Sequence, residues 1–290
     1  MFFDEEMLLD LRLNIMNQYI DKFIITEATY THSGKPKKLI FDINKFSKFR
    51  DKIIYIVVDK PPPNLFVVNS NDDVDTMGNK LILNGYKRDN FQRQKAQEAL
   101  TNLDPDDWIF INDIDEIPNL KNIDLRTINK KILIFKQKTF YYKFNLLSPA
   151  APWFGSRACK KKNFISPQWL RDLKHRKYSP WRLDILFSKK KYNSISYVND
   201  GGWHFTNVKS PEEIEKKLLS YTHHHEFEAS KIDLSQLKEK IDNKKAIYDL
   251  SVDSKKYKWN SEKVLKRIEI SEMPDYLRNN LSKYSEWIDS

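Results

Sequence analysis

Cysteine is nearly absent. The single thiol, Cys159, rules out an internal disulfide, and nothing in the chain calls for an oxidising compartment. Glycine is scarce too, with six in 290 residues. Neither G-x-G-x-x-G nor G-x-x-x-x-G-K occurs, so the sequence offers no Gly-rich phosphate loop. No apolar run approaches ~18 residues, so no bilayer-spanning helix is expected. The opening residues Met1-Phe2-Phe3-Asp4-Glu5-Glu6 are acidic and lack the basic and apolar regions of a signal peptide.

Hydrophobic residues make up 40% of the chain and aromatics 13%, enough for a sizeable core in one large domain or two small ones. The net charge of +10 is uneven. Residues 1–120 hold 15 Lys+Arg against 20 Asp+Glu, and the remainder holds 35 against 20. A basic C-terminal half implies an anionic partner on that side: nucleic acid, anionic lipid or a nucleotide-linked substrate. A Lys- and Asn-rich compositional habit explains the same excess without any partner.

The periodicity predicts a helix over 4–20, strands over 23–28 and 53–58, a mobile polar loop over 69–79 and a helix over 88–103. Further strands are predicted at 108–111, 132–135, 139–144, 184–188 and 194–198. The order α-β-loop-β-α-β reads as an α/β layer of nucleotide-binding character. Ser210-Pro211-Glu212-Glu213 is a strong helix start, with a cap, a proline at the first position and Glu at the third. Residues 231–290 read as a mostly helical, basic C-terminal extension packed on a domain formed by 1–230.

The stretch that carries most chemistry is Trp108-Ile109-Phe110-Ile111-Asn112-Asp113-Ile114-Asp115-Glu116-Ile117-Pro118. A buried strand ends in acids at the edge where open α/β sheets bind ligands. Asp113 and Asp115 alternate by two, so continued strand geometry would point both the same way. Converging carboxylates suit Mg²⁺ or Mn²⁺; a solvated turn accounts for these letters equally well. His204, after Gly201 and Gly202, is a candidate third ligand or simply a packed histidine. Arg88 and Arg93 are candidates for diphosphate oxygens, or belong to a solvated helix face. His223, His224, His225 and Glu226 form a polar cluster in which neighbours on a helix cannot all face one way. The aromatic and basic segment 153–182 can stack on sugars or bases, act as a lid, or fill the core.

Several separated motifs, in order, resemble one family. They are Phe3-Asp4-Glu5 with Leu9-Asp10-Leu11-Arg12-Leu13, the run from Phe23 to Pro36, Phe91-Gln92-Arg93, and Asp113-Ile114-Asp115-Glu116-Ile117-Pro118. Gly201-Gly202-Trp203-His204-Phe205, residues 217–227 and Met273-Pro274-Asp275-Tyr276-Leu277 complete the set. The chain resembles glycosyltransferase family 17. That resemblance implies a GT-A fold, with a mixed, mostly parallel sheet flanked by helices. It implies inverting sugar transfer from a UDP-sugar, most simply UDP-GlcNAc, to a glycan hydroxyl. Asp113 and Asp115 match the Asp-x-Asp motif that holds Mn²⁺ or Mg²⁺ against the donor diphosphate, and His204 matches a C-terminal metal ligand. Glu27 stands where the nucleoside is usually gripped. The chain departs from the pattern at His223–His225, where three histidines blur which one corresponds.

An inverting displacement needs a general base. Asp200, Glu226 and Glu116 are the candidates, and Asp200 is favoured for its place beside His204 on a Gly-flanked turn. Arg93 and Arg88 would stabilise the leaving diphosphate. Because the chain starts directly at the domain, a cytoplasmic enzyme, bacterial or viral, is expected, with peripheral membrane contact through the basic half. Two other classes compete. A metal-dependent nuclease or phosphoesterase would use the same acids. A nucleic-acid-binding protein would use the charge, although the acidic N-terminal half argues against a nucleic-acid partner.

Overall fold

The computed structural model describes every residue except 177, 180, 186, 193, 249–258 and 260. The first helix, α1 (Glu6–Met16), lays Leu8, Leu9, Leu11, Leu13 and Met16 into the core. The apolar runs β1 (Phe23–Ala28) and β2 (Ile53–Val58) pair in parallel, Phe23 opposite Ile53. The long helix α2 (Val74–Lys95) follows, and then β3 (Trp108–Ile111), β4 (Glu116–Pro118), β5 (Ile132–Phe135), β6 (Lys138–Tyr141), β7 (Leu146–Leu147) and β8 (Arg157–Lys160). The chain continues through α3 (Pro167–Asp172), β9 (Ile195–Val198), β10 (Gly202–Thr206), α4 (Pro211–Ser220), α5 (His224–Ser230), α6 (Leu234–Asp242) and β11 (Lys266–Arg267).

Beside the β1–β2 pair stand a four-stranded sheet, β3-β8-β5-β9, and a five-stranded sheet, β11-β7-β6-β10-β4. The expectation of a mostly parallel sheet is corrected. Among the described residues only β1·β2, β6·β10 and β5·β9 are parallel. The pairs β3·β8, β5·β8, β4·β10, β6·β7 and β7·β11 are antiparallel. What holds is a mixed α/β architecture. Two of these antiparallel pairs arise because β8 forms inside the aromatic and basic segment 153–182 and inserts between β3 and β5. Its Ala158 and Cys159 are fully buried, so it is a central strand that lacks an apolar run.

Two further boundaries moved. The predicted loop 69–79 contains the start of α2, where Asp73 accepts a hydrogen bond from the Thr76 N–H and caps the helix. That helix ends at Lys95, short of the predicted 103. The predicted strand 184–188 includes Leu186, which lies outside the described residues; Leu183–Ile185 form a 3-10 turn. The capping box at Ser210 and Glu213 is present as read.

The main core joins α1 to the sheets through Ile117, Leu133, Phe135, Phe140, Phe144 and Phe205. Phe205 meets Phe144 edge to face at 4.8 Å. Each such fully buried side chain contributes about 1.5–3 kcal/mol. From the C-terminal segment, Met273, Leu277 and Tyr284 are buried in this same cluster, and β11 pairs with β7. A second cluster under α4, α5 and α6 contains Tyr141, Ile214, Leu218, Phe227 and Leu237.

Candidate active site

The acids sit where the chain crosses between the two larger sheets. Strand β3 belongs to one sheet and β4 to the other, and residues 112–115 form the turn between them. The turn is pinned from three sides. The Arg12 guanidinium, on α1, donates to the backbone carbonyls of Asp113 (3.1 Å) and Glu116 (2.6 Å). The Phe205 N–H donates to the carbonyl of Asp115 (2.8 Å). The Asp113 N–H donates to Glu116 Oε2 (3.0 Å). Such a loop is held before any ligand arrives. Burial pushes the Arg12 guanidinium down to about 10, the cost of using a charged fork as an internal brace.

The turn also separates the two aspartates, because the strand does not continue through them. Asp113 is drawn to Arg171 Nη2 (2.6 Å) and Arg93 Nη2 (3.3 Å). Burial works to raise its pKa, but Arg171 and Arg93 outweigh it and hold the carboxyl well below the usual range. Glu116 is fully buried and takes Arg171 at 2.7 Å on each of its oxygens, plus the Trp153 indole N–H at 2.6 Å. Its pKa too is lowered, Arg171 again outweighing burial. A β-carbon on Gly155 would overlap this Glu116 carboxylate and the Trp153 nitrogen. Gly155→Ala is therefore expected to destabilise the protein by about 1–3 kcal/mol in denaturant titration.

Asp115 faces elsewhere. Its Oδ2 lies 3.8 Å from His204 Nε2 and 3.6 Å from Lys217 Nζ. The β4–β10 register sets His204 opposite Glu116, and Trp153 stacks on the imidazole at 4.6 Å. Burial raises the pKa of Asp115 and lowers that of His204. For Lys217, burial is outweighed by Asp115 and Glu5, and the ammonium is held above its usual value.

Asp113, Asp115, Glu116, Arg93, Arg171, His204, Lys217, His223 and Glu226 all line one cavity of about 760 Å³. The structure does not bring Asp113, Asp115 and His204 together as three ligands. Among the described residues no three His, Cys, Asp or Glu side chains are grouped to hold an ion, and Asp113 is spent on two guanidinium groups. Asp115 and His204 do fit a divalent cation. Both neighbours of the buried Asp115 carboxylate stand beyond hydrogen-bond reach, and a carboxylate with an imidazole is a usable donor pair when substrate phosphates supply the rest.

Three other predicted residues stand outside the cavity. Glu27 is fully buried and accepts from Lys37, the Ile40 and Phe41 N–H groups and the Tyr55 hydroxyl, so it fastens the segment 37–41 rather than a nucleoside. Arg88 donates to the His32 carbonyl (3.1 Å) and braces the turn at Gly34. Asp200 is exposed on the turn before β10, bonded to Asn119 Nδ2 (3.0 Å). It does not line the cavity that holds His204. Of the three histidines, His223 lines the cavity, 3.2 Å from Glu226; the His224 ring stands 3.0 Å from the Tyr221 carbonyl, and His225 packs on Gly78.

The sequence reading left out Arg171, Arg12 and Lys217. Arg171 had a signal. Ser166-Pro167 is the same cap-and-proline start as Ser210-Pro211, and it places Arg171 one turn into α3. Arg12 was visible as the charged residue set between Leu11 and Leu13 on a buried helix face.

This geometry joins a pinned acidic turn, a buried cation set and a His–carboxylate pair in one cavity. The chain matches the model of glycosyltransferase family 17 over residues 1–288 and belongs to that family; it is a glycosyltransferase. It is 32% identical over 115 residues to the beta-1,4-mannosyl-glycoprotein 4-beta-N-acetylglucosaminyltransferases of Homo sapiens and Rattus norvegicus, and 31% to that of Mus musculus. The matched stretch is 38% of this chain and 19% of each relative, so the chain matches about a fifth of the length of these curated relatives. No solved structure matches it. The expectation of a cytoplasmic enzyme, bacterial or viral, is corrected, because these relatives are mammalian transferases named for a glycoprotein substrate. Among the described residues no helix is long and apolar enough to cross a membrane.

Proposed function

We propose that the chain transfers a sugar, N-acetylglucosamine in the simplest case, from a UDP-sugar to a glycan hydroxyl with inversion, in a GT-A-type arrangement. Residues 1–230 and 231–290 would act as one catalytic unit. The observation that carries this reading is the 760 Å³ cavity, in which the Asp113–Glu116 turn faces Arg93, Arg171, Lys217 and His204 within a family 17 chain. The names of the mammalian relatives support the choice of sugar.

Asp115 and His204 would hold a divalent cation together with the donor diphosphate. The cation, when bound, would neutralise charge on the departing nucleotide. The protein's own contribution is preorganisation. Arg12, Arg93 and Arg171 fix the acidic turn, which limits the reorganisation the reaction requires. Lys217 adds a second positive charge beside Asp115, where the leaving group gathers its negative charge.

Glu226 is the proposed general base. Glu116 is held ionised and bidentate by Arg171, which makes it a weak acceptor, and Asp200 lies outside the cavity. Glu226 lines the cavity on α5, paired with His223. Glu226→Gln is expected to lower turnover about 10²–10⁴-fold while UDP binding is kept. Normal turnover in that variant would place the base elsewhere.

A further inference from the structure

A second cavity of about 350 Å³ adjoins the first, and Trp153 and Arg171 border both. Its remaining lining includes Ala151, Phe154, Arg157 and His175, and no Asp or Glu among the described residues. Phe154 and His175 are stacked, 4.5 Å apart.

Arg157 is the unexplained group. It opens β8, the strand between β3 and β5, and is only 7% exposed. Among the described residues its guanidinium makes one hydrogen bond, Nη1 to the Leu170 carbonyl at 3.3 Å, and its buried Nε has no partner. Arg171 next to it is neutralised by Asp113 and Glu116, whereas Arg157 has no carboxylate within ion-pair distance among the described residues. Burial, and then the charge of Arg171, push its pKa down to about 10, and the more distant Glu116 and Asp172 offset this only in part, as expected of a buried cation without an ion-pair partner. A lone buried charge is costly to maintain. One long hydrogen bond to a carbonyl is a small return for placing it in a sheet interior.

We infer that this second cavity is an acceptor subsite for an acidic sugar residue, whose anionic group pairs with Arg157 while the ring lies against Trp153 and Phe154. The inference rests on the transferase reading above. Aromatic faces with one convergent charge match an anionic pyranose better than a neutral one. A carboxylate and a phosphate share the chemistry Arg157 would recognise.

The test is calorimetric titration of the full chain, saturated with UDP and Mn²⁺, by methyl glucuronide, methyl glucoside, glucose 6-phosphate and inorganic phosphate. Methyl glucuronide or glucose 6-phosphate is expected to bind about tenfold or more tightly than methyl glucoside. The two anionic sugars show whether carboxylate or phosphate is preferred. Arg157→Gln is expected to erase the preference and Arg157→Lys to keep part of it. Ala151→Phe, which adds bulk at an exposed position of the cavity lining, is expected to weaken binding of every sugar. Equal affinity for charged and neutral sugars would overturn the inference. So would a preference that survives in Arg157→Gln, sugar binding unaffected by Ala151→Phe, or inorganic phosphate binding as tightly as glucose 6-phosphate. UDP affinity, measured on the same samples, judges the donor site separately and is expected to be unchanged in all three variants.

Discussion

Arg171→Met is expected to destabilise the protein by about 3–5 kcal/mol, the range for removing one partner of a buried ion pair. In a chain of this size that is a fall in Tm on the order of 10 °C. The reason is the one-sided burial of its partners. Glu116 is fully buried and would keep only the Trp153 and Asp113 N–H groups, and Asp113 would keep only Arg93. Arg171→Lys should fall in between, since an ammonium keeps the charge but cannot bridge both carboxylates as the planar fork does.

The pH dependence gives this effect a signature. In the native protein Asp113 and Glu116 titrate below their ordinary values of 3.8 and 4.5. Their contribution to stability is therefore complete above pH 4.5 and lost as pH falls through their native pKa values. In Arg171→Met the buried Glu116 and the half-buried Asp113 lose that guanidinium, so protonation relieves them. The gap in stability between native protein and variant should be widest at neutral pH and narrow below about pH 4. Urea titrations at pH 7 and pH 4 measure it. An equal gap at both values would mean that Arg171 acts by packing rather than charge.

Asp115→Asn is expected to reduce sugar transfer at least about 10²–10³-fold, yet not to lower Tm. The two effects oppose because Asp115 is where function and stability conflict. Burial raises its pKa above the ordinary 3.8, so the folded state binds the proton more tightly than the unfolded chain does. The sign follows from linkage: stability falls as pH rises through that window, and the ionised carboxylate costs stability at neutral pH. On the proposed cation-binding role, a neutral amide removes the cost and the function together, while Glu5 stays beside the Lys217 ammonium. A thermal melt beside a UDP-sugar turnover assay separates the two readouts. A variant that lost activity and also melted several degrees lower would show Asp115 to be structural.

Strands β1, β2, β3 and β5 were legible because each is an apolar run that exists as such in the sequence. Strand β8 was not, since Arg157-Ala158-Cys159-Lys160 has charged ends and is made a strand by its neighbours. At Asp113 the letters fitted a continued strand and a turn equally well; the structure has the turn, and that change of backbone direction sends Asp113 towards Arg93 and Arg171 and Asp115 towards His204. Proximity in sequence also misled. Asp200 is four residues from His204, but it lies on the exposed turn before β10 and outside the cavity; Glu226, twenty-two residues on, is brought into it by α4 and α5. Arg171 escaped notice because its role lies in pairing with acids more than fifty residues upstream, which no local pattern records.

The central claim is that the Asp115–His204 side of the acidic turn receives a nucleoside diphosphate. Calorimetric titration of UDP, with and without Mn²⁺, tests it most directly. The expected result is UDP binding that Mn²⁺ strengthens about tenfold or more in the native chain, with that increment absent in Asp115→Asn. UDP that fails to bind, or a Mn²⁺ increment of the same size in Asp115→Asn, would contradict it.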